Sequence, residues 1–569
     1  MQKSMPVEPR AKHRGPNMLQ FGAEENHVKA ETSMRISAVL RGRISVCLFR
    51  LALLALITSI PFRSWAQALP PNNAAPPPTA EQRTAHAFEG ARANPLDLRA
   101  FLVRMPKGAD LHNHLSGAVY AESWIRAGAE DHLCIDLNTI SFVKPPATAG
   151  ANASQPACGE RKIPAADLYR DERVYDAVID AFSMRGFVAT PGVTGHDHFF
   201  DTFGKFGGTD RRHKGEFLDE VATRAASQNE QYLELMETPD FSHTTSIAHA
   251  ITWSDDFAQI RKELLDHGLR DDIAIARGEF DRAEAVRRER ERCGQKDASP
   301  ACEVQVRYLY QVLRGFPKEQ VFAQAMLGFE VASADPRVVG INFVMPEDGY
   351  ISMADYALQM RMVGFLREQY PHVHISLHAG ELAPGLVPPE GLCCHVRLAV
   401  EQAHAERIGH GADIMYETQP YILMKEMAAT HVMVEINLTS NDLILGMSGR
   451  EHPFLEYRRA GVPIALSTDD EGVSRIDLTH EFVRAVTTYG LHYLDLKQMV
   501  RTSLEHSFLP GASIWNEPDV FTHAITACAT DSLGSDKPSA DCGTFLKSSE
   551  KAQQQWELER RFRSFEDGY

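Results

Sequence analysis

The fold is decided by three consecutive stretches, VVGINFVMP (338–346), ISMADYALQMRMVGFLREQY (351–370) and HISLHAG (374–380). The first and third are short and rich in Val, Ile and Leu, which is typical of buried strands. The second is longer and has a helical pattern. A strand, a helix and a second strand in this order predict two parallel strands joined by a crossover helix.

The same alternation extends over most of the chain. The other strand candidates are GADLHNHL (108–115), QYLELMET (231–238), DIAIARG (272–278), RIGHGAD (407–413), VMVEINL (432–438) and PIALSTDD (463–470). Eight strands that alternate with helices predict an α/β fold, a (β/α)8 TIM-type barrel. A doubly wound open sheet is the alternative, and it is disfavoured because no Gly-rich phosphate loop follows the first strand.

The first two strand candidates are about 115 residues apart, far more than one helix requires. We therefore predict an insertion at about 125–165 and a lid over the barrel mouth that includes HDHFFDTFGKFGG (196–208). The predicted divisions are a signal peptide at 1–68, a leader and helical extension at 69–104, the barrel at 105–520 and a C-terminal helical or loop extension at 521–569.

The N-terminal segment has the order of a secretory signal peptide. Arginines precede the apolar run LALLALITSI (51–60), and small residues follow it at Ala66 and Ala68. A membrane anchor is the alternative, but the apolar run has about half of the ~20 residues that a spanning helix needs. We predict export to the periplasm or the medium, with Met34 as an alternative start of translation.

Removal of the predicted signal peptide changes the net charge of the chain, and the cysteine content permits disulfides in an exported protein. Residues 1–68 carry ten Lys/Arg and four Asp/Glu, so the rest of the chain has 49 basic and 72 acidic residues and a net charge of about −23. Such a chain is a poor ligand for nucleic acid, and no membrane partner is expected after signal removal. The predicted disulfides are Cys134–Cys158, Cys293–Cys302 and Cys528–Cys542, while Cys393 and Cys394 are either free or bonded.

Polar residues with catalytic potential stand at the C-terminal ends of four predicted strands. They are His112 and His114 on the first strand, His378 and Glu381 on the fifth, His410 on the sixth, and Asp469 and Asp470 on the eighth. Each residue alone could be a buried histidine or a helix-capping aspartate. Together they mark the face on which barrel enzymes place their active sites. The two histidines of the first strand are two positions apart, so both point into the barrel.

Three neutral imidazoles and one carboxylate suit a single Zn²⁺ ion per chain. The predicted ligands are His112, His114, His378 and Asp469, with one position left for water. Zinc lowers the pKa of its bound water and makes it a hydroxide nucleophile. Glu381 could then donate a proton to the substrate, and His410 could accept a proton from the water or stabilise the developing charge.

On these residues, the chain resembles the adenosine deaminase family of the amidohydrolase superfamily. The matching motifs, in family order, are MPKGADLHNHLSG (105–117), HAGE (378–381), RIGHG (407–411), EINLTSND (435–442), STDDEG (467–472) and SFLPG (507–511). The resemblance implies a hydrolase acting on the C–N bond of a cyclic amidine, which converts adenosine or deoxyadenosine to inosine or deoxyinosine and ammonia.

The resemblance also implies roles for single residues. The four predicted ligands would hold zinc, and Glu381 would protonate the purine ring nitrogen next to the attacked carbon. His410 would orient and activate the water, and Asp470 would hydrogen-bond the imidazole-ring nitrogen of the purine. The signal and the insertion resemble the secreted adenosine deaminase-related growth factors. There a similar insertion serves receptor binding and an N-terminal segment serves dimerisation, so a homodimer is one expectation.

Four residues are predicted to contact the substrate in addition to Asp470. Phe203 and Phe206 either line an apolar lid or form the buried face of an ordinary helix. Ser116 stands where many family members have an acidic residue that contacts the ribose. Met345 stands where the family usually has a glycine whose N–H meets the purine. These departures put recognition of plain adenosine in question and leave the metal chemistry unchanged.

Two other functions follow from the same sequence. The substrate could be another aminated purine or a modified nucleoside, as Ser116 and Met345 suggest. Alternatively, the protein could be a secreted binding or signalling protein with a structural zinc ion. The presence of Glu381 and His410 speaks against the latter, because a structural site requires neither.

Overall fold

The computed structural model describes residues 77–146, 158–209 and 211–569, and within them eight parallel strands follow one another in a single sheet. They are β1 (Gly108–His114), β2 (Glu230–Glu237), β3 (Gln305–Leu313), β4 (Val338–Val344), β5 (His374–Ala379), β6 (Arg407–His410), β7 (Met433–Ile436) and β8 (Ile464–Leu466). A bridge between Asn113 and Asp469 brings β1 and the end of β8 together. The predicted (β/α)8 barrel is confirmed.

Helices connect the strands and cover the outside of the barrel. Those between β1 and β3 are Leu115–Ala118, Ala121–Glu130, Glu172–Ala181, Gly195–Lys205, Lys214–Ser227, Ser242–Ala250, Phe257–Asp266 and Asp271–Arg290. Those between β3 and β8 are Lys318–Ala334, Tyr350–Ala354, Tyr356–Gln369, His395–Glu401, Pro420–Ala429, Leu438–Leu445 and Phe454–Ala460. All residues of β1 and β2 are buried, as expected for strands with side chains packed on both faces. No helix in the described ranges has the length and apolarity to span a membrane.

The prediction of the third strand at 272–278 was wrong. That stretch belongs to the helix Asp271–Arg290, and Gln305–Leu313 pairs in parallel with β2 and β4 instead. In the helix, Ala276, Phe280 and Ala283 are buried at spacings of four and three residues. This helical period continues well past residue 278, and it outweighs the strand-like composition of the short stretch.

The insertion between β1 and β2 carries a small antiparallel sheet. Its strands are Cys134–Asp136, Ser141–Val143 and Lys162–Pro164, with the first in the middle. The Cys134–Cys158 disulfide links the first strand of this sheet to the residue that follows 147–157 in the chain, and residues 147–157 are outside the described ranges. The other two predicted disulfides are also formed, and Cys393 is bonded to Cys394.

Segments from both ends of the described chain pack beside the barrel. They are the helices Ala80–Ala91 and Pro95–Leu102, and, after β8, Glu471–Ser474, Leu478–Tyr489, Tyr493–Glu505, Ala540–Ser548 and Glu550–Glu566, with a hairpin of Trp515–Glu517 and Val520–Ala524. The ammonium group of Lys497 joins them, because it lies 2.6 Å from both Glu81 and Glu566. The predicted signal peptide at 1–68 lies outside the described residues.

Candidate active site

The predicted site residues converge where the barrel strands end. His112 and His114 lie in the last three residues of β1, His378 is the penultimate residue of β5, His410 ends β6, and Asp469 follows β8. Potential ligand atoms of His112, His378, His410 and Asp469 lie within 4.8 Å of one another, and those of His114, Asp469 and Asp470 form a second such group. All six side chains are buried.

The distances bring the four predicted zinc ligands around one point. His112 Nε2 and His114 Nε2 lie 3.4 Å and 3.2 Å from Asp469 Oδ1. His114 Nε2 also lies 3.2 Å from His378 Nε2. His112 Nε2 is buried and has no hydrogen-bond partner among the described residues. An unpaired buried nitrogen facing a carboxylate and two other imidazoles is what a metal site of this type requires.

The second nitrogen of each histidine is held by an oxygen. Nδ1 of His112 donates to Glu435 (2.6 Å), Nδ1 of His114 to Gln311 (2.8 Å) and Nδ1 of His378 to Asn342 (2.7 Å). Because each Nδ1 faces an oxygen, the Nε2 of each ring is the nitrogen that can bind a metal at the shared point. The residues present therefore fit a zinc ion.

The outer partners of the histidines were not among the predicted residues. Asn342 donates to Ser376 Oγ at 3.1 Å, and Ser376 Oγ donates to Glu435 at 3.0 Å. Burial would raise the pKa of Glu435, but the charge of Arg407 and the hydrogen bond of His112 lower it. Asn342 and Glu435 are single polar residues within apolar strands, and that pattern is the signal that could have identified them.

Glu381 and His410 lie beside this cluster, with Glu381 Oε1 and His410 Nδ1 3.7 Å apart. Burial, followed by the charge of Asp469, raises the pKa of Glu381 well above its usual value, which favours the protonated carboxyl. Burial lowers the pKa of His410 to about 4, so its ring is neutral. Asn441 Nδ2 donates to His410 Nδ1 at 3.0 Å, which leaves the ring proton on the buried Nε2.

Asp470 lies next to the predicted ligand Asp469, and Gly117 approaches Asp470 closely. Burial raises the pKa of Asp470 to about 7, and its Oδ1 has no hydrogen-bond partner among the described residues. A Cβ atom at position 117 would collide with the Asp470 carboxylate. Gly117 therefore leaves room for Asp470 to face the site.

The predicted substrate contacts lie in different surroundings. Phe206 is buried in the insertion and stacks on Trp124 with 4.7 Å between ring centroids. Phe203 is partly buried and packs on Phe206 at 5.4 Å. Of the two predicted roles for this pair, the packing of Phe206 favours the buried face of a helix.

The other two predicted contacts stand at loop positions after strands. Ser116 is half-buried in the single turn that follows β1. Met345 directly follows β4, has a φ of +92° and accepts the N–H of Gly315 at its sulfur, 3.3 Å away. A positive φ is unusual for a residue with a side chain, so Met345 retains a backbone conformation that suits glycine.

A cavity of about 640 Å³ opens at the opposite end of the barrel. It is lined by His374 at the start of β5, by residues that precede β6 and β7, and by Lys551 of the C-terminal segment. None of the predicted site residues lines it.

Among curated proteins, the chain is similar to several bacterial adenosine deaminases. It is 33% identical to the adenosine deaminase of Clostridium perfringens (strain ATCC 13124) over 168 residues, which are 29% of this chain and 43% of that protein. It is 28% identical to the adenosine deaminase of Vibrio atlanticus over 228 residues, which are 38% of this chain and 59% of that protein. The chain thus spans about half the length of the curated relatives that it matches.

Among solved structures, the matches include an adenine deaminase from Arthrobacter aurescens, at 16% identity and a TM-score of 0.44, covering 71% of this chain and 94% of that one. A second is Arabidopsis ADAL complexed with GMP, at 20% identity and a TM-score of 0.47, covering 72% and 94%. The sequence model of the family described as adenosine deaminase matches residues 219–514, more than half of the chain. This protein belongs to the adenosine deaminase family.

Proposed function

We propose that this protein is an exported, zinc-dependent aminohydrolase that converts adenosine or deoxyadenosine to inosine or deoxyinosine and ammonia. The observation that carries the proposal is the buried Glu381 carboxyl, which lies 3.7 Å from His410, beside the cluster that His410 forms with His112, His378 and Asp469. A site that only stabilised the fold would have no use for a protonated carboxyl next to its ligands.

The reaction requires a nucleophilic water, a proton for the ring and stabilisation of the developing charge. A zinc ion held by His112, His114, His378 and Asp469 would supply the activation of water at neutral pH. Glu381 donates its proton to the ring nitrogen beside the attacked carbon. Neutral His410 directs its Nε2–H toward the oxygen on which charge develops. The water oxygen replaces the amino group, which leaves as ammonia.

Asp470 and the loop residue Met345 govern how the purine is held. The unpaired Oδ1 of Asp470 is available for a hydrogen bond with the imidazole ring of the purine. Met345 keeps its backbone N–H near the end of β4, but its side chain occupies space that a glycine would leave open. A second candidate function is therefore deamination of another aminated purine or a modified nucleoside.

Export is part of the proposal. Four disulfides in the described ranges are consistent with an oxidising compartment, where such bonds persist. The order of basic, apolar and small residues before position 68 supports the same location.

The test is an ultraviolet assay on the purified mature chain. Zinc-loaded protein should convert adenosine to inosine, and a chelator should abolish the conversion. Glu381→Gln should keep its zinc and lose about 10²- to 10⁴-fold in turnover, the usual contribution of a positioned acid. If zinc-loaded wild type leaves adenosine unchanged but deaminates another aminopurine in a panel, the second candidate replaces the first. Lack of turnover on the whole panel contradicts both.

A further inference from the structure

The turn that follows β5 carries Glu381, and the buried carboxylate of Glu347 accepts hydrogen bonds from the backbone of this turn. Glu347 accepts the N–H of Gly380 at Oε1 (2.9 Å) and the N–H of Glu381 at Oε2 (2.8 Å). One side chain thus binds two successive backbone groups of the turn. Glu347 is 2% exposed, so these bonds form away from water, where hydrogen bonds to a charged acceptor are strong.

Glu347 is itself fixed by a framework of buried side chains. His395 donates from Nδ1 to Glu347 Oε1, and the His395 ring stacks on Tyr356 with 3.6 Å between centroids and 5° between planes. The hydroxyl of Tyr356 donates to the carbonyl of His395 at 3.0 Å. Rotation of the imidazole would break this stack, so His395 keeps its Nδ1 directed at Glu347.

The carboxylate of Glu347 is ionised over the whole neutral range. Burial alone would raise its pKa, but the hydrogen bond and attraction of His395, together with the charge of Arg314, lower the pKa to about 2. Both oxygens are therefore acceptors, as the two N–H groups of the turn require.

The same framework reaches the other end of the turn. Arg314 donates to the carbonyl of His378 at 3.2 Å and lies over the ring of Tyr356 at 4.9 Å. Between these anchors, Gly380 has a φ of +76°, and a Cβ there would collide with Asp413. The path of the backbone from His378 to Glu381 is thus held from both sides.

We propose that Glu347 is a positioning residue, which fixes where the Glu381 carboxyl meets the substrate by holding the backbone of Gly380 and Glu381. This inference rests on the proposed function, since it assigns Glu347 to the same reaction. Glu347 does not touch the reacting atoms in this scheme. It acts through the turn, and an error of about 1 Å in the position of a catalytic group can lower a rate by about 10²-fold.

The test compares Glu347→Gln with Glu417→Gln. Glu417 is also buried, and it accepts a backbone N–H of the helix that begins at His395, that of Arg397 at 3.0 Å, instead of the turn. In Glu347→Gln, an NH2 group replaces one acceptor oxygen and opposes an N–H group of the turn. We expect kcat to fall at least about tenfold and KM to change less than about threefold, with zinc content unchanged. Glu417→Gln should keep the wild-type kcat.

A second measurement does not depend on turnover. Hydrogen exchange followed by mass spectrometry should show faster exchange of the peptide spanning 378–383 in Glu347→Gln, and wild-type exchange in Glu417→Gln. If Glu347→Gln does not fold, His395→Leu removes the donor to Glu347 and should give the same two results. Wild-type exchange in this peptide, or equal kcat in the Glu347 and Glu417 variants, overturns the proposal. An inactive wild type contradicts the proposed function alone, since exchange still reports on the turn.

Discussion

At the scale of single residues, each of the three histidines of the site has its own oxygen partner on Nδ1, and this partner determines which nitrogen can bind a metal. Glu435, Gln311 and Asn342 each supply an oxygen that accepts the Nδ1–H of one ring, and in each case this leaves the lone pair of Nε2 available to a metal. Other histidines also have an oxygen partner on Nδ1, such as His374 with Glu406 at 2.7 Å, but they lie outside the cluster. An engaged Nδ1 therefore does not by itself mark a ligand. What suits these three histidines to a metal is that their Nε2 atoms also converge near the Asp469 carboxylate.

Glu435→Gln should weaken zinc binding about 10- to 100-fold, the usual effect of losing an outer partner of a ligand. The carboxylate both holds Nδ1–H of His112 and increases the basicity of the ring. Glu234→Gln is the matched control, because Glu234 pairs with the same Arg407 at 2.7 Å, as Glu435 does at 2.6 Å. Competition with a chromophoric chelator measures both affinities. Equal loss in the two variants would assign the effect to Arg407.

Gly117→Ala should reduce kcat/KM about 10- to 100-fold, because the added Cβ displaces the Asp470 carboxylate from the site. Gly204→Ala provides the comparison, since a Cβ at that helical position meets nothing within 4 Å. Steady-state kinetics on the best substrate of the panel measures both. If Gly117→Ala retained wild-type kinetics, Asp470 would have no part in holding the purine.

The sequence could predict the residues at the centre of the site but not all of those around them. His112, His378 and Asp469 stand in distinctive motifs at strand ends, so their types and positions alone indicate a metal. Gln311 lies on β3, a strand that was not among the predicted ones, so its contact with His114 was not predicted either. Glu347 gives no signal of its own, because its role depends on a fold that brings it beneath residues 380 and 381.

At the scale of elements, the strands were predicted from short apolar or alternating runs. β4 has Asn342 as its one polar side chain, β5 alternates His374, Ser376 and His378 with apolar residues, and the positions of both were predicted closely. β3 also alternates, with partly exposed Gln305, Arg307 and Gln311, so its sequence has the period of a strand although 272–278 was predicted in its place. The stretch 272–278 is a short apolar-rich part of a 20-residue helix, and taken alone it was interpreted as a strand.

Substitutions in that helix distinguish the two assignments. Ile275 is 43% exposed, whereas Phe280 is 2% exposed and stacks on Tyr308 of β3 at 4.4 Å. Ile275→Lys should change the free energy of unfolding by less than about 0.5 kcal/mol. Phe280→Ala should lower it by about 3–5 kcal/mol. Urea unfolding measures both changes. A large loss in Ile275→Lys would restore the strand at 272–278.

At the scale of the whole molecule, stability depends on buried ionisable groups that are not among the predicted metal ligands. Burial raises the pKa of Glu481 to about 7, against the lowering effect of hydrogen bonds from Thr439 and the charge of Arg484. The folded state therefore prefers the protonated carboxyl. Its contribution to the free energy of unfolding is fully present below about pH 4.5 and is lost as the pH rises through about 7.

Glu481→Gln cannot ionise, so it should gain stability relative to wild type between pH 5 and pH 8. The gain is on the order of 3 kcal/mol, the free energy that corresponds to the pKa shift. Urea unfolding of metal-free protein at both pH values measures it. Glu451→Gln, at an exposed carboxylate, should show no such change. A Glu481→Gln variant that tracks wild type at both pH values would mean that this carboxyl is already ionised at pH 5.

The bridge between β1 and the end of β8 also sets the order in which the protein can mature. Asp469 N–H donates to the carbonyl of His112 at 2.8 Å, and His114 N–H donates to the carbonyl of Asp469 at 3.2 Å. These bonds join residues that the ribosome makes early with residues that it makes late. A nascent chain carries the two histidines long before their carboxylate partner exists. If the proposed zinc site forms, the complete set of four ligands would assemble only late in maturation, and a fragment that ends before Asp469 would lack one of them.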